Sequence, residues 1–256
     1  MIGQANKIGR KYNHLKDTDF VEATIKETGL TIDFIGKEYL DKAGPVTSVA
    51  NHPGGADVLA TAAALGRERK DFKILANKLI CFYLVEGIII PVDTMSKKKV
   101  DTNEIDKAYQ DGNIVVFYAA GKNSRFNEKG LLRDRRWRTT FIDYARKYDT
   151  PLHVLKIEGA NSPLFYKVSN FRAKYSWLKN VPLENFFQVR EILTAKGLLK
   201  MYLSKPISIK KVTQEETKQQ KRQIADNFYD FLYTMNSDNL DFDQYEKSLT
   251  SKANIR

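Results

Sequence analysis

The sequence predicts an α/β fold, a single domain with a largely parallel mixed sheet flanked by helices. Three observations predict it. Short β-branched segments alternate with segments of helical period, the pattern of strands joined by crossover helices. No internal repeat and no Pro/Gly/Ser-rich linker divides the chain. Its 256 residues, 42% apolar and 11% aromatic, suffice for one sizeable core.

The elements follow in order. Residues 6–28 are mixed and charged and predict one or two helices with a weak apolar stripe. "LTIDFIG" (30–36) alternates apolar and polar residues and ends in glycine, as an exposed strand does. "PVTSVAN" (45–51) predicts a more buried strand, and "ADVLATAAALGRER" (56–69) a helix with Asp57 in its first turn, where the dipole favours a carboxylate. "FKILANKLICFYLVEG" (72–87) predicts a short strand and a short helix, and the β-branched run "GIIIPVD" (87–93) a strand covered on both faces. Then come helix 100–112, strand 113–121, helix 134–149, strand 151–159, a late strand 200–209 and a helix 215–235. The polar residues 236–256 are expected to fray.

Charge and cysteine narrow the function. Lys and Arg outnumber Asp and Glu by 42 to 31, a net +11 that favours anionic partners. Cys81 is the only cysteine, so no internal disulfide framework exists and a reducing compartment is expected. The longest apolar run, residues 79–92, is broken by Glu86, Gly87 and Pro91 and is too short to span a bilayer. The first twenty residues lack the apolar core of a signal peptide. A protein so built would reach lipid as a peripheral protein from the cytoplasmic face. Nucleic-acid binding is not expected, because no motif of interleaved basic and aromatic residues appears.

Three strand-end turns carry chemistry. In "NHPGGAD" (51–57), His52 and Asp57 fall where a buried strand turns into a helix. Ligand sites in such sheets gather at the carboxyl ends of strands. A histidine held there by a carboxylate is a candidate general base, with Asn51 beside it; the alternative is a surface histidine next to an ordinary capping aspartate. No third ligand lies nearby, so no metal is expected. "FYAAGKNSRF" (117–126) places Gly121, Lys122, Asn123, Ser124 and Arg125 in a basic turn suited to a phosphate or carboxylate. It is not a P-loop, since Val116 stands where that motif needs glycine and Asn123 where it needs Ser or Thr. "IEGANSPLFY" (157–166) carries Asn161 and Ser162 before an aromatic pair. These turns form one site if their strands are neighbours.

"NHPGGAD" resembles the N-H-x4-D block of the glycerolipid acyltransferases, the lysophosphatidate acyltransferase family. "GKEYL" (36–40), "GIIIPVD", "FYAAGKNSR" and "LKIEGANSPLFY" follow the family's order over roughly residues 30–210. The last two blocks resemble the bacterial branch that includes ornithine-lipid and haemolysin-like acyltransferases. The resemblance implies a glycerolipid-acyltransferase-like fold, with a helical, membrane-apposed segment over 1–29, the acyltransferase domain over 30–235 and a polar tail over 236–256. It implies that His52, oriented by Asp57, removes the proton from an acceptor hydroxyl. That oxygen then attacks the thioester of an acyl-CoA or acyl carrier protein, with no bound cofactor.

The resemblance also implies that Gly121, Lys122, Asn123, Ser124 and Arg125 bind the acceptor, with Asn51, Asp93, Asn161 and Ser162 near its pocket. The implied partners are a lyso-lipid, lysophosphatidate or lyso-aminolipid, and an anionic membrane surface at the inner face of the cell membrane. "GLLRDRRWR" (130–138) or a basic N-terminal helix would provide the contact. Several positions depart from the family. Ala120 and Asn123 replace a glutamate and an arginine of the third block, Thr94 an arginine of the second, and Val154 a strand proline. These changes weigh against a phosphate-bearing acceptor and leave a carboxylate head group at least as well matched. A different hydroxylated acceptor, or a non-catalytic lipid-binding relative, are the alternatives.

Overall fold

The computed structural model describes residues 2–77, 85–92, 102–175, 183–209 and 217–253. Strands β1 (Leu30–Ile35), β2 (Val46–Ala50), β3 (Phe72–Asn77), β4 (Ile89–Val92), β5 (Ile114–Tyr118), β8 (Leu152–Ile157) and β9 (Gly197–Leu203) form the main sheet. Their order is β1-β9-β8-β2-β5-β3-β4, and β6 (Arg125–Phe126) with β7 (Leu132–Arg133) makes a separate short ribbon. Every pairing in the main sheet is parallel except β8 with β9. This is the largely parallel mixed sheet that the sequence predicts.

The two-residue strand period sorts side chains into two apolar layers. From β2 and β5, Val46, Ala50, Ile114, Val116 and Tyr118 enter one layer. There they meet helices α2 (Asp17–Thr28) and α3 (Asp57–Glu68) through Val21, Ile25, Ala60 and Ala64. Val49, Val115 and Phe117 point the other way. They join α4 (Thr102–Gln110), α5 (Thr140–Lys147), α8 (Lys218–Thr234) and α9 (Phe242–Ala253) around Trp137, Phe141 and Phe231. The shortness of α3's residues, Ala60 and Ala62 to Ala64 among them, lets it lie close on the sheet. Strand β2 is buried along its whole length and is the central strand, so its carboxyl end lies mid-sheet.

Strand β4 is covered on both faces as expected, since Ile89 and Ile90 enter opposite layers; among the described residues it lies at the sheet edge, where Pro91, which has no N–H to give, is exposed. Three elements differ from their sequence readings. The helix expected over 134–149 begins only at Thr140, because Asp134 and Trp137 turn inward from an irregular segment. Strand β9 starts three residues before the expected boundary, and the chain beyond it returns to pair Ile207 with Leu152. The segment expected to fray carries α9 instead, anchored by Phe242 against Phe228 and Phe231 at ring-centroid distances of 4.6 and 5.3 Å. Helices α6 (Pro163–Lys174) and α7 (Leu183–Thr194) were not legible in the sequence, and α1 (Ile2–Tyr12) fulfils the N-terminal expectation. The helix expected after β3 and the candidate Asp93 lie outside the described residues.

Candidate active site

The middle of the sheet runs β8-β2-β5, so the three chemistry-bearing turns leave adjacent carboxyl ends. Strand β2 ends in Asn51, whose side chain spans to β8: its amide donates to the Ile157 carbonyl at 2.9 Å and its oxygen accepts the Ile157 N–H at 2.7 Å. Asn51 therefore splices two strands at the point where their ladder ends. The chain then makes the tight His52–Asp57 turn. Gly54 and Gly55 both adopt positive φ, +97° and +69°, a conformation that side chains resist. A Cβ at Gly54 would lie 2.0 Å from Asn161 Nδ2 and 2.7 Å from Asn123 Nδ2, so this glycine is where all three turns touch.

The turn brings His52 Nδ1 to 2.6 Å from Asp57 Oδ2. That carboxylate also accepts the Gly54 N–H at 2.8 Å and the Val58 N–H at 2.7 Å. Burial disfavours the Asp57 charge, but the imidazole and the two N–H donors outweigh it and hold the carboxyl below its usual range. Burial likewise pulls the His52 imidazole down, and the Asp57 charge and hydrogen bond carry it above its ordinary value. With Asp57 ionised, the Nδ1 proton of neutral His52 donates to it, which leaves Nε2 as the basic nitrogen. Tyr118, at the end of β5, packs beside the imidazole at 4.7 Å between centroids. The His52 side chain is 16% exposed, enough for a substrate atom to reach it and too little for free hydration. Such a ring can take a proton from a hydroxyl and pass it on.

The other candidates divide into a rim and a frame. Lys122 is exposed and Gly121 turns with φ +62° beside it. The Arg138 guanidinium carbon lies 3.5 Å from where a Cβ of Gly121 would be, a second cation at this turn. Arg125 braces the loop by donating to the Asn123 and Ser124 carbonyls at 3.0 and 3.1 Å, and its guanidinium stacks on Phe165 at 5.1 Å. Asn123 is buried against Gly54. Asn161 accepts the Gly55 N–H and receives help from Tyr166, whose hydroxyl accepts the Asn161 N–H at 3.2 Å. Ser162 starts α6: its hydroxyl accepts the Phe165 N–H and donates to Glu191 Oε1 at 2.6 Å. Ser124, Asn51 and Ser162 thus hold the site's frame, while Lys122 and Arg138 face outward at its rim.

Sequence reasoning missed Asp134. Hidden in a run read as a cationic face, it is buried and accepts from three donors. The His52 N–H reaches its two oxygens at 3.2 and 3.3 Å, Trp137 Nε1 donates at 2.9 Å, and the Ser124 hydroxyl makes a short hydrogen bond. The Ser124 N–H in turn donates to the His52 carbonyl at 2.7 Å, so Asp134 ties the first and third blocks together. Burial raises its carboxyl above the usual range against the pull of these donors. Asp134→Asn places an amide among donors and leaves at least one unsatisfied, at about 1–3 kcal/mol. The expected result is a Tm lower by roughly 2–10 °C in a thermal melt, with transfer activity reduced more than the melt alone explains. An unchanged melt with unchanged activity would remove Asp134 from the framework.

Among the described residues, no group of three or more His, Cys, Asp or Glu side chains is arranged to hold a metal. No described helix is long and apolar enough to cross a membrane.

Known proteins resemble this chain in sequence. The chain is 31% identical over 168 residues to a lyso-glycine lipid O-acyltransferase of Bacteroides thetaiotaomicron, covering 62% of this chain and 60% of that protein. It is 28% identical over 169 residues to a lyso-glycine lipid O-acyltransferase of Phocaeicola vulgatus, covering 64% and 57%. The matches therefore span about three fifths of those relatives' length. A crystal structure of the 1-acyl-sn-glycerophosphate (LPA) acyltransferase PlsC from Thermotoga maritima aligns with a TM-score of 0.49 at 11% identity, covering 88% of this chain and 85% of that one. The family model described as "Acyltransferase" matches residues 3–225, and the chain belongs to that acyltransferase family.

Proposed function

We propose that the protein is a peripheral membrane O-acyltransferase that esterifies the free hydroxyl of a lyso-lipid. The observation that carries this reading is the His52–Asp57 pair, locked at 2.6 Å where three strand ends converge. His52 Nε2 takes the acceptor's hydroxyl proton as the oxygen attacks the thioester carbonyl. When the tetrahedral intermediate collapses, the C–S bond breaks and the imidazolium returns the proton to the departing thiolate. One ester forms and one thioester is consumed. The donor is an acyl-CoA or acyl carrier protein thioester, and the reaction uses no bound cofactor. The work is done at the inner face of the cell membrane, from the cytoplasm.

The acceptor we favour is a lyso-aminolipid with a carboxylate head group. Two of the relatives bear the name lyso-glycine lipid O-acyltransferase. The third block also carries Ala120 and Asn123 where the resemblance to phosphate-acylating members expects a glutamate and an arginine. Lys122 and Arg138 at the rim are enough to pair one carboxylate. A transfer assay with lyso-glycine lipid and lysophosphatidate as competing acceptors tests this. Turnover of the aminolipid at least tenfold faster in kcat/KM is expected. Preference for lysophosphatidate would move the protein to phospholipid synthesis and refute the carboxylate assignment.

A further inference from the structure

Helix α6 leaves the candidate site with Ser162 as its cap and buries Phe165 and Tyr166 on its inner side. Its outer side is apolar as well. Leu164, Val168 and Phe171 recur at the spacing that places them on one face, and Tyr175 follows directly after the helix. Leu164 is 45% exposed, Phe171 54% and Tyr175 39%, and the Phe171 and Tyr175 rings contact each other at 4.7 Å rather than the core. The β6–β7 ribbon extends the face: Phe126, 53% exposed, packs on Tyr166 at 4.9 Å, and Leu131 at the ribbon's turn is 46% exposed. These five make up most of the large apolar side chains that the described residues leave exposed; Leu198 on β9 is the other. Lys167, Arg172 and Lys174 flank the stripe, and residues 163–175 include no Asp or Glu.

We infer that this face, the outer side of α6 with the ribbon's Phe126 and Leu131, is the surface that seats the enzyme on an anionic bilayer. Apolar side chains ringed by cations suit the headgroup boundary of anionic lipid, where each cation strengthens binding roughly fivefold. The position suits it too. Arg125 and Phe126 are consecutive, and Asn161 and Ser162 lead directly into α6, so a bilayer on this face would lie next to the turns that build the candidate site. The N-terminal helix is less suited. Its Ile8 is buried, and Lys7 and Lys11 pair with Glu27 of α2 at 3.2 and 2.7 Å. This inference rests on the proposed lipid acceptor for its purpose, but binding can be measured without turnover.

The test compares wild type with Leu164→Glu/Phe171→Glu, positions outside the catalytic and acceptor-binding groups. Co-sedimentation uses phosphatidylglycerol/phosphatidylcholine vesicles in 0.1 M salt, and transfer is measured to detergent-dispersed acceptor. The expected result is at least a tenfold loss of vesicle binding, with detergent-phase transfer within about twofold of wild type. Hydrogen exchange on wild type gives a second reading that no folding defect can blur: vesicles should protect residues 126–131 and 164–175. Unchanged vesicle binding by the variant, or protection confined to residues 2–28, would overturn the inference. A wild type that ignores vesicles would overturn it too. So would a defect seen only with acyl carrier protein as donor, which would make the face a carrier dock. A wild-type dimer broken by the variant, with vesicle binding intact, would mean that a second copy covers the face. Failure of all transfer by the wild type, with vesicle binding present in the wild type and lost in the variant, would refute the proposed acceptor and leave this surface standing.

Discussion

His52→Ala is expected to lower acyl transfer by about 10²–10⁴-fold, the usual contribution of a positioned acid–base group. The loss should fall on kcat, because in the proposed reaction the ring meets the reacting hydroxyl and not the acyl chain or head group that set binding. The fold should survive. His52 is partly exposed, and its removal leaves the Asp57 carboxylate with the Gly54 and Val58 N–H donors. The Asp134 framework engages only the His52 backbone, which alanine retains. A cooperative melt within a few degrees of wild type, together with lost turnover, is therefore the expected pair of results. A fully active variant would remove His52 from the chemistry.

Asp57→Asn is expected to cost nearly as much, roughly 10²–10⁴-fold, for a different reason. Each carboxylate oxygen accepts a fixed N–H: Oδ2 from Gly54 and His52, Oδ1 from Val58. An asparagine can put its oxygen in only one of those places. If the amide nitrogen faces His52, it confronts the Gly54 N–H and forces the imidazole into the tautomer with Nε2 protonated. That tautomer cannot act as a base at Nε2. If the amide nitrogen faces Val58, the tautomer survives, but the imidazolium formed on proton transfer has lost its counter-charge. Either way kcat falls. A variant within threefold of wild type in kcat would show that Asp57 only caps α3.

Much of the candidate site's layout is legible in the sequence, and the reasons are local. His52, Pro53, Gly54 and Gly55 cannot continue a strand or begin a helix, so they mark a turn, and the β-branched runs on either side place it at a strand end. That β2 lies between β5 and β8 was not written in the sequence, because neighbour order in a parallel sheet depends on which faces bury together. Asp134 escaped notice for a physical reason. Its neighbours Arg133, Arg135 and Arg136 read as a solvated helix face, and only the burial of Trp137 three residues on reveals that the segment turns inward. The roles of Ser124 and Ser162 were likewise hidden, since their partners Asp134 and Glu191 lie in segments with no periodic signal of their own. The C-terminal tail misled by composition: Phe242 and Tyr245 pack on Phe231 of α8, and Phe242 also on Phe228, which fixes a mostly polar helix.

The base role of His52 is tested most directly by the pH dependence of kcat/KM, which reports groups on the free enzyme. The base must be neutral to act, and its folded pKa is raised above the ordinary imidazole value by Asp57. Activity should therefore rise through a single acid limb lying above the ordinary histidine value and level off on the alkaline side. In Asp57→Asn the counter-charge is gone while burial and Arg125 still lower the value and only Asp134 opposes them, so the residual activity should show that limb displaced to lower pH. A profile that is flat across the histidine range, or a limb that Asp57→Asn leaves in place, would contradict the assignment of His52 as the base.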